Sequence, residues 1–280
     1  MVDGGRIPAL FAGLCDDAAV FPPGLAPLPD AVAAHDEHLS AWYAGLVGPL
    51  VIAATALGDL AEVLGDRTTP LPVSVTLPGG PSQLDGVLDA VDKLPVNLDA
   101  LEIAVPEGMG PDEVLTALSR ATAPVFVEIP RDDRRVLLLT ALSGTGHHAK
   151  FRTGGVRADL YPGEAELAAS VRAAVEAGVP FKATAGLHHA LRNTDPDTGF
   201  EQHGFLNLML ATDAVLTDGD AEAVLAERDG AVIAARLREL DADRVAALRA
   251  AFTSFGTCSI TDPLTELAGL GLLEAPRGEA

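Results

Sequence analysis

Between residues 50 and 190 the chain alternates between short apolar runs and longer helix-like segments, and this rhythm limits the fold more than any other feature. Six runs read as strands, at 50–56, 72–77, 100–105, 125–129, 149–153 and 180–185. Helix-length segments separate them at 59–64, 82–94, 112–121, 133–143 and 164–177. Pro111 ahead of Asp112 and Glu113 marks a helix start, because proline suits the first helical position and acidic groups suit the positive end of the dipole. Gly178 marks a helix stop. Strands that alternate with helices pair in parallel through right-handed crossovers. Segment 18–21 adds a seventh strand, and the candidates for an eighth are 205–211 and 231–235, both of which read equally as helical.

No GxGxxG opens the first helix and no GxxxxGK[ST] occurs, so the two standard nucleotide-binding open sheets have no support. Polar residues inside the strands favour a barrel, whose lumen accepts them near its catalytic rim. The expected fold is therefore α/β, a (β/α)8 TIM-barrel-like domain with irregular ends. It would span 1–280 as one domain, with an ordered N-terminal loop segment at 1–30 and a mostly helical C-terminal extension at 220–280.

Composition narrows the function classes. Hydrophobic residues make up 48% of the 280 and aromatics only 4%, so the core is built from Ala, Val, Leu and Ile. The formal charge of −21 repels phosphate backbones and anionic membranes, so neither nucleic acid nor membrane is an expected partner. Cys15 and Cys258 are the only cysteines, and no zinc-finger spacing exists. The N-terminal residues lack the pattern of a secretion signal, and no apolar run reaches the roughly 18 residues of a membrane span. A cytoplasmic protein is expected, and no cofactor. Homo-oligomerisation through the helical C-terminal third is compatible with the sequence.

Against this acidic background, cations inside apolar strands stand out. Side chains alternate along a strand, so Lys150 and Arg152 share one face, as do Lys182 and Thr184. A buried ammonium is costly unless paired or used. Glu102 and Glu128 interrupt two neighbouring apolar runs, so opposite charges converge on one lumen. One reading is a charge-compensated core. The other is lysine chemistry. A buried lysine beside another cation has a depressed pKa, and its neutral amine can form a Schiff base with a carbonyl. Lys182 is the preferred nucleophile because small neighbours, Thr184 among them, leave room for a substrate. Lys150 and Arg152 would lower its pKa or hold an anion, and Glu102, Glu128, His188 or His203 would move protons. Gly154 and Gly155 read either as a tight turn or, with Arg157, as a cradle for phosphate.

The Lys-Ala-Thr-Ala-Gly block at 182–186 resembles the Schiff-base strand of class I aldolases of the deoxyribose-phosphate aldolase type. Those barrels carry Lys-Thr-Ser-Thr-Gly on one strand and Lys-Ala-Ser-Gly-Gly on the next; here the glycine pair comes first, at 150–155, which reads as a swapped order. The resemblance implies a lyase acting on a small anionic or phosphorylated carbonyl metabolite. The blocks Lys-Ala-Thr-Ala-Gly-Leu-His-His, His-Gly-Phe-Leu-Asn and Gly-Thr-Cys-Ser also resemble a group of bacterial proteins of unassigned activity.

Two other readings stay open. His188, His189 and His203 lie within 16 residues and offer acid–base groups or, with Asp16 or Asp17, ligands for a metal-dependent hydrolase or isomerase. A non-catalytic protein binding an organic anion fits the same cationic lumen. His147 and His148 are expected on the opposite rim as structural groups. Asn207 reads equally as a site residue or a helix-face residue, Cys258 as a small buried residue, and Asp16 and Asp17 first as turn formers.

Overall fold

The computed structural model describes residues 7–276, so the first six residues of the expected 1–30 segment and the last four of 220–280 lie outside the described residues. Seven strands follow the chain in order: β1 (Cys15–Asp17), β2 (Val47–Ala53), β3 (Leu71–Leu77), β4 (Val96–Ala104), β5 (Val125–Glu128), β6 (His148–Arg152) and β7 (Phe181–Thr184). A two-stranded hairpin, β8 (Asn193–Thr194) and β9 (Glu201–Gln202), stands apart from them in the long connection after β7. Strand β10 (Phe252–Thr257) then inserts between β7 and β1. The ring β1-β10-β7-β6-β5-β4-β3-β2 closes into an eight-stranded barrel with every pair parallel. This is the (β/α)8 TIM-barrel-like architecture.

The helices are α1 (Leu28–Ser40), α2 (Leu57–Leu64), α3 (Leu84–Val91), α4 (Pro111–Leu118), α5 (Arg134–Leu142), α6 (Glu164–Glu176), α7 (Phe205–Leu216), α8 (Ala221–Ala226), α9 (Gly230–Arg238), α10 (Ala242–Ala251) and α11 (Thr261–Gly269). Helix α4 begins at Pro111, and the Gly110 N–H donates to Glu113 Oε2 at 2.8 Å. Helix α6 stops as expected: Gly178 takes φ +65°, a conformation glycine adopts without steric cost. No helix among the described residues is long and apolar enough to cross a membrane.

One strand expectation is corrected, and the two segments that read equally as strand or helix are both helical. Segment 18–21 is a turn, and the first strand lies just before it at Cys15–Asp17. Segment 205–211 belongs to α7 and 231–235 to α9. Helix α7 is buried from Phe205 through Val215, and a helix buried on every side leaves no amphipathic period to distinguish it from a buried strand. The eighth strand is β10. Residues beyond 220 are mostly helical, as expected, but they also carry the strand that completes the barrel.

The packing of the barrel wall fixes which residues face inward. Phe151, Phe181 and Phe252 pack between strands and helices with ring centroids 5.2 and 5.3 Å apart, and Phe255 stacks on Phe205 of α7 at 4.7 Å. Burying each such ring contributes about 1.5–3 kcal/mol. With these side chains turned outward, the alternate positions Lys150, Arg152, Lys182, Thr184 and Ser254 turn into the lumen. Below the lysines, His148 packs edge-on against Phe126 at 4.9 Å. His148 is thus the first residue of β6 rather than a residue before it, at the N-terminal end of the strand, opposite the C-terminal rim.

Candidate active site

Register brings the charges together. Glu128 pairs with Lys150 across β5–β6, Lys150 with Lys182 across β6–β7, and Arg152 with Thr184 one pleat higher. Glu102 reaches in from β4, Asp16 from β1 and Ser74 from β3. Gly48 on β2 is required here, since a Cβ at that position would collide with Asp16 Oδ1.

The result is one alternating chain of acids and bases. Ser254 Oγ donates to Asp16 Oδ2 at 2.8 Å, and Lys182 Nζ donates to the same oxygen at 2.5 Å. Lys182 also donates to Glu102 Oε1 at 2.6 Å, which accepts from Ser74 Oγ at 3.0 Å. The other oxygen, Glu102 Oε2, lies 3.3 Å from Lys150 Nζ, which reaches Glu128 Oε2 at 2.9 Å. Arg152 Nε closes the series on Glu128 Oε1 at 2.9 Å. Three cations face three carboxylates.

Exposure grades along this chain. Lys182 is 1% exposed and Lys150 5%, while the side chains of Glu128 and Arg152 are 22% and 39% exposed. The cluster therefore runs from a sealed interior to the C-terminal rim of the strands, the face on which barrels of this kind carry their active sites.

The electrostatics overturn one expectation. Burial by itself would push the Lys182 ammonium down, but the charges and hydrogen bonds of Asp16 and Glu102 outweigh burial and hold it above the ordinary lysine value. Lys182 is a fixed cation, not a lysine with a depressed pKa. Burial pushes Glu102 up, yet Lys182, Lys150 and Ser74 bring it net down to about 2. Glu128 is likewise lowered, burial being outweighed by Lys150 and Arg152. Asp16 goes the other way: burial, aided by the charge of Glu102, wins over Lys182 and Ser254, and its carboxyl lies above the usual range.

The glycine pair has a packing role. A Cβ on Gly154 would stand 2.6 Å from the Tyr161 ring and 2.8 Å from Gly186 Cα, and one on Gly155 would stand 2.5 Å from Leu160. The strand ends thus approach each other closely under an aromatic lid. Thr153 Oγ1 ties the same corner by donating to Ala185 O at 2.6 Å.

His203 and Asn207 are used elsewhere. His203 is buried and bonds Pro162 O through Nε2 at 2.8 Å, tying the connection after β7 to the loop before α6. Asn207 accepts from the Arg192 N–H and donates to Val224 O and Glu227 O. Both amide ends are consumed by backbone, so Asn207 is a brace between segments. His188 does sit at the rim, with Nδ1 3.4 Å from Cys258 Sγ. His189 turns away to Glu266 Oε1 at 2.6 Å. Among the described residues no group of three or more His, Cys, Asp or Glu is arranged to hold a metal ion. Asp17 bonds buried His35 at 2.9 Å behind the strand.

Asp16, Ser74 and Ser254 are the residues that strand alternation alone did not bring to the lumen. Ser74 sits between Val73 and Val75, a polar break in an apolar run of the same kind that exposed Glu102 and Glu128.

No protein-family profile matches the chain, and no curated protein matches it. Among solved structures it is similar to nitroalkane oxidase from Streptomyces ansochromogenes, with 18% identity over 81% of this chain and 68% of that one and a TM-score of 0.37. It is also similar to a candidate fructose-1,6-biphosphate aldolase from Coccidioides immitis, with 9% identity over 92% and 82% of the two chains and a TM-score of 0.34. Likenesses this distant assign no chemistry.

Proposed function

We propose that this barrel is a lyase of the aldolase type that forms a Schiff base between a lumen lysine and a small carbonyl compound bearing an anionic group. The supporting observation is the unequal setting of the two lysines. Lys182 is sealed and clamped by two carboxylates at 2.5 and 2.6 Å, so its ammonium supplies fixed charge. Lys150 has longer contacts and borders the part of the cluster that reaches the rim. The nucleophile is therefore Lys150, and Lys182 takes the electrostatic role first expected of Lys150.

The stated family resemblance agrees once each strand is counted from its lysine. Lys150, Thr153 and Gly154 match the first family pattern, and Lys182, Ala183 and Gly186 match the second, so the strand order is not swapped.

In this mechanism the Lys150 ammonium passes a proton by way of Glu128 to solvent as the carbonyl enters, and the free amine attacks the carbonyl carbon. Loss of one water leaves an iminium, which draws electrons from the adjacent bond and permits carbon–carbon cleavage or formation. Glu102 balances the neighbouring cations, and Arg152 holds the anionic group at the rim. Incubation with phosphorylated aldehydes and keto acids followed by borohydride should give a stable mass gain on the protein. No gain across such a panel contradicts the proposal.

The partly exposed Arg152 guanidinium at the rim favours a second reading, a non-catalytic pocket for an organic anion. Lys150→Arg would then keep ligand affinity, whereas Schiff-base chemistry does not survive that change.

A further inference from the structure

The rim holds a second reactive pair that the lysine mechanism does not use. Strand β10 lies between β1 and β7, the strands that carry Asp16 and Lys182. Directly after β10, Cys258 is partly exposed, and its Sγ lies 3.4 Å from His188 Nδ1 on the loop after β7. That loop is anchored from the far side: Glu266 of α11 takes both the His189 ring at 2.6 Å and the Ala190 N–H. Adjacent side chains diverge, so pinning His189 to α11 leaves His188 facing the thiol. The loop after β1 packs on the same cysteine so closely that a Cβ on Gly24 would stand only 3.0 Å from Cys258 Cβ.

Burial raises the thiol above its ordinary value and lowers the His188 imidazole, so both partners are neutral at rest. In a neutral pair the imidazole takes the proton only at the moment of attack, which is base-assisted nucleophilic chemistry. Cys15, by contrast, is fully buried in β1.

We propose that Cys258 and His188 form a thiol nucleophile at the barrel mouth that adds reversibly to the carbonyl carbon of a small aldehyde. Sulfur forms a bond to carbon as the C=O π pair moves to oxygen. The thiol proton passes to His188 Nδ1 and from there to the alkoxide, giving a neutral thiohemiacetal with no oxidant or leaving group required. The aldehyde ligand class rests on the lyase reading above, whereas the reactivity of the thiol does not.

Two experiments test it. Iodoacetamide should label the folded protein once, at Cys258, and below pH 7 its rate should fall less steeply with pH than that of the same cysteine in the chain unfolded in guanidinium, because His188 takes the proton during attack. His188→Gln should slow the folded-state reaction by about 10²-fold, the low end of what a positioned base contributes. With acetaldehyde carrying ¹³C at its carbonyl, NMR should show a thiohemiacetal resonance that persists in Lys150→Gln and disappears in Cys258→Ser. A folded-state rate that falls with pH as steeply as the unfolded one, a His188→Gln rate equal to wild type, or no thiohemiacetal resonance would each overturn the proposal. The first comparison needs no variant, so it holds even if His188→Gln misfolds. A thiohemiacetal signal without any borohydride-stable lysine adduct would support this site and count against the lyase reading alone.

Discussion

The inner and outer halves of the lumen cluster use the same residue types to different ends. Inside, Lys182 is held by Asp16 and Glu102, with Ser254 and Ser74 supplying further hydrogen bonds. Outside, Lys150, Glu128 and Arg152 make longer contacts and approach solvent. A buried charge that loses its partner is expensive, whereas a half-exposed one is rehydrated. The inner half is thus built for permanence and the outer half for exchange with a ligand.

The difference should appear first in stability. Lys182→Met leaves two buried carboxylates facing each other and should cost about 3–5 kcal/mol, read by urea unfolding. A loss below about 1 kcal/mol would mean that water reaches the inner half and would erase the distinction.

The pH dependence of unfolding sharpens it. Glu102 lies near 2 when folded against 4.5 ordinarily, so the unfolded chain binds its proton more tightly. Its contribution is complete above pH 4.5 and is lost as pH falls toward 2, a change of about 3 kcal/mol. Asp16, shifted upward, acts with the opposite sign and offsets part of this. Lys182, also raised, gives stability that is complete below pH 10.5 and declines as pH climbs beyond it. The acid limb should be steeper in wild type than in Glu102→Gln; identical limbs would contradict the assignment.

Lys150→Met should cost less than Lys182→Met, about 1–3 kcal/mol, because Glu102 keeps Lys182 and Glu128 keeps Arg152. Arg152→Ala should change stability least, by at most about 1 kcal/mol, since its pair is partly screened by solvent. Its expected effect is weaker binding of the anionic substrate, seen as a raised KM. An unchanged KM would remove Arg152 from the ligand-facing half.

The same two halves explain how much the sequence revealed. Six strands from 50 to 185 were legible within a few residues because their outward faces are mainly Val, Leu, Ile, Phe and Ala. Lys150, Lys182, Glu102 and Glu128 were legible as breaks in those runs. The two strands that escaped, β1 and β10, are Cys-Asp-Asp and Phe-Thr-Ser-Phe-Gly-Thr, in which polar lumen positions dilute the apolar signal. They carry Asp16 and Ser254. What made these strands hard to recognise is therefore what they contribute to the site. The direction of the Lys182 shift was also out of reach, since it depends on Asp16, 166 positions away in the chain.

The most direct measurement is the location of the covalent adduct. Protein trapped with borohydride in the presence of a small anionic aldehyde would be digested and its peptides mapped by mass. The expected result is modification of the peptide containing Lys150, with Lys182 unmodified. Modification at Lys182 would contradict the division between a fixed inner cation and a reactive outer amine.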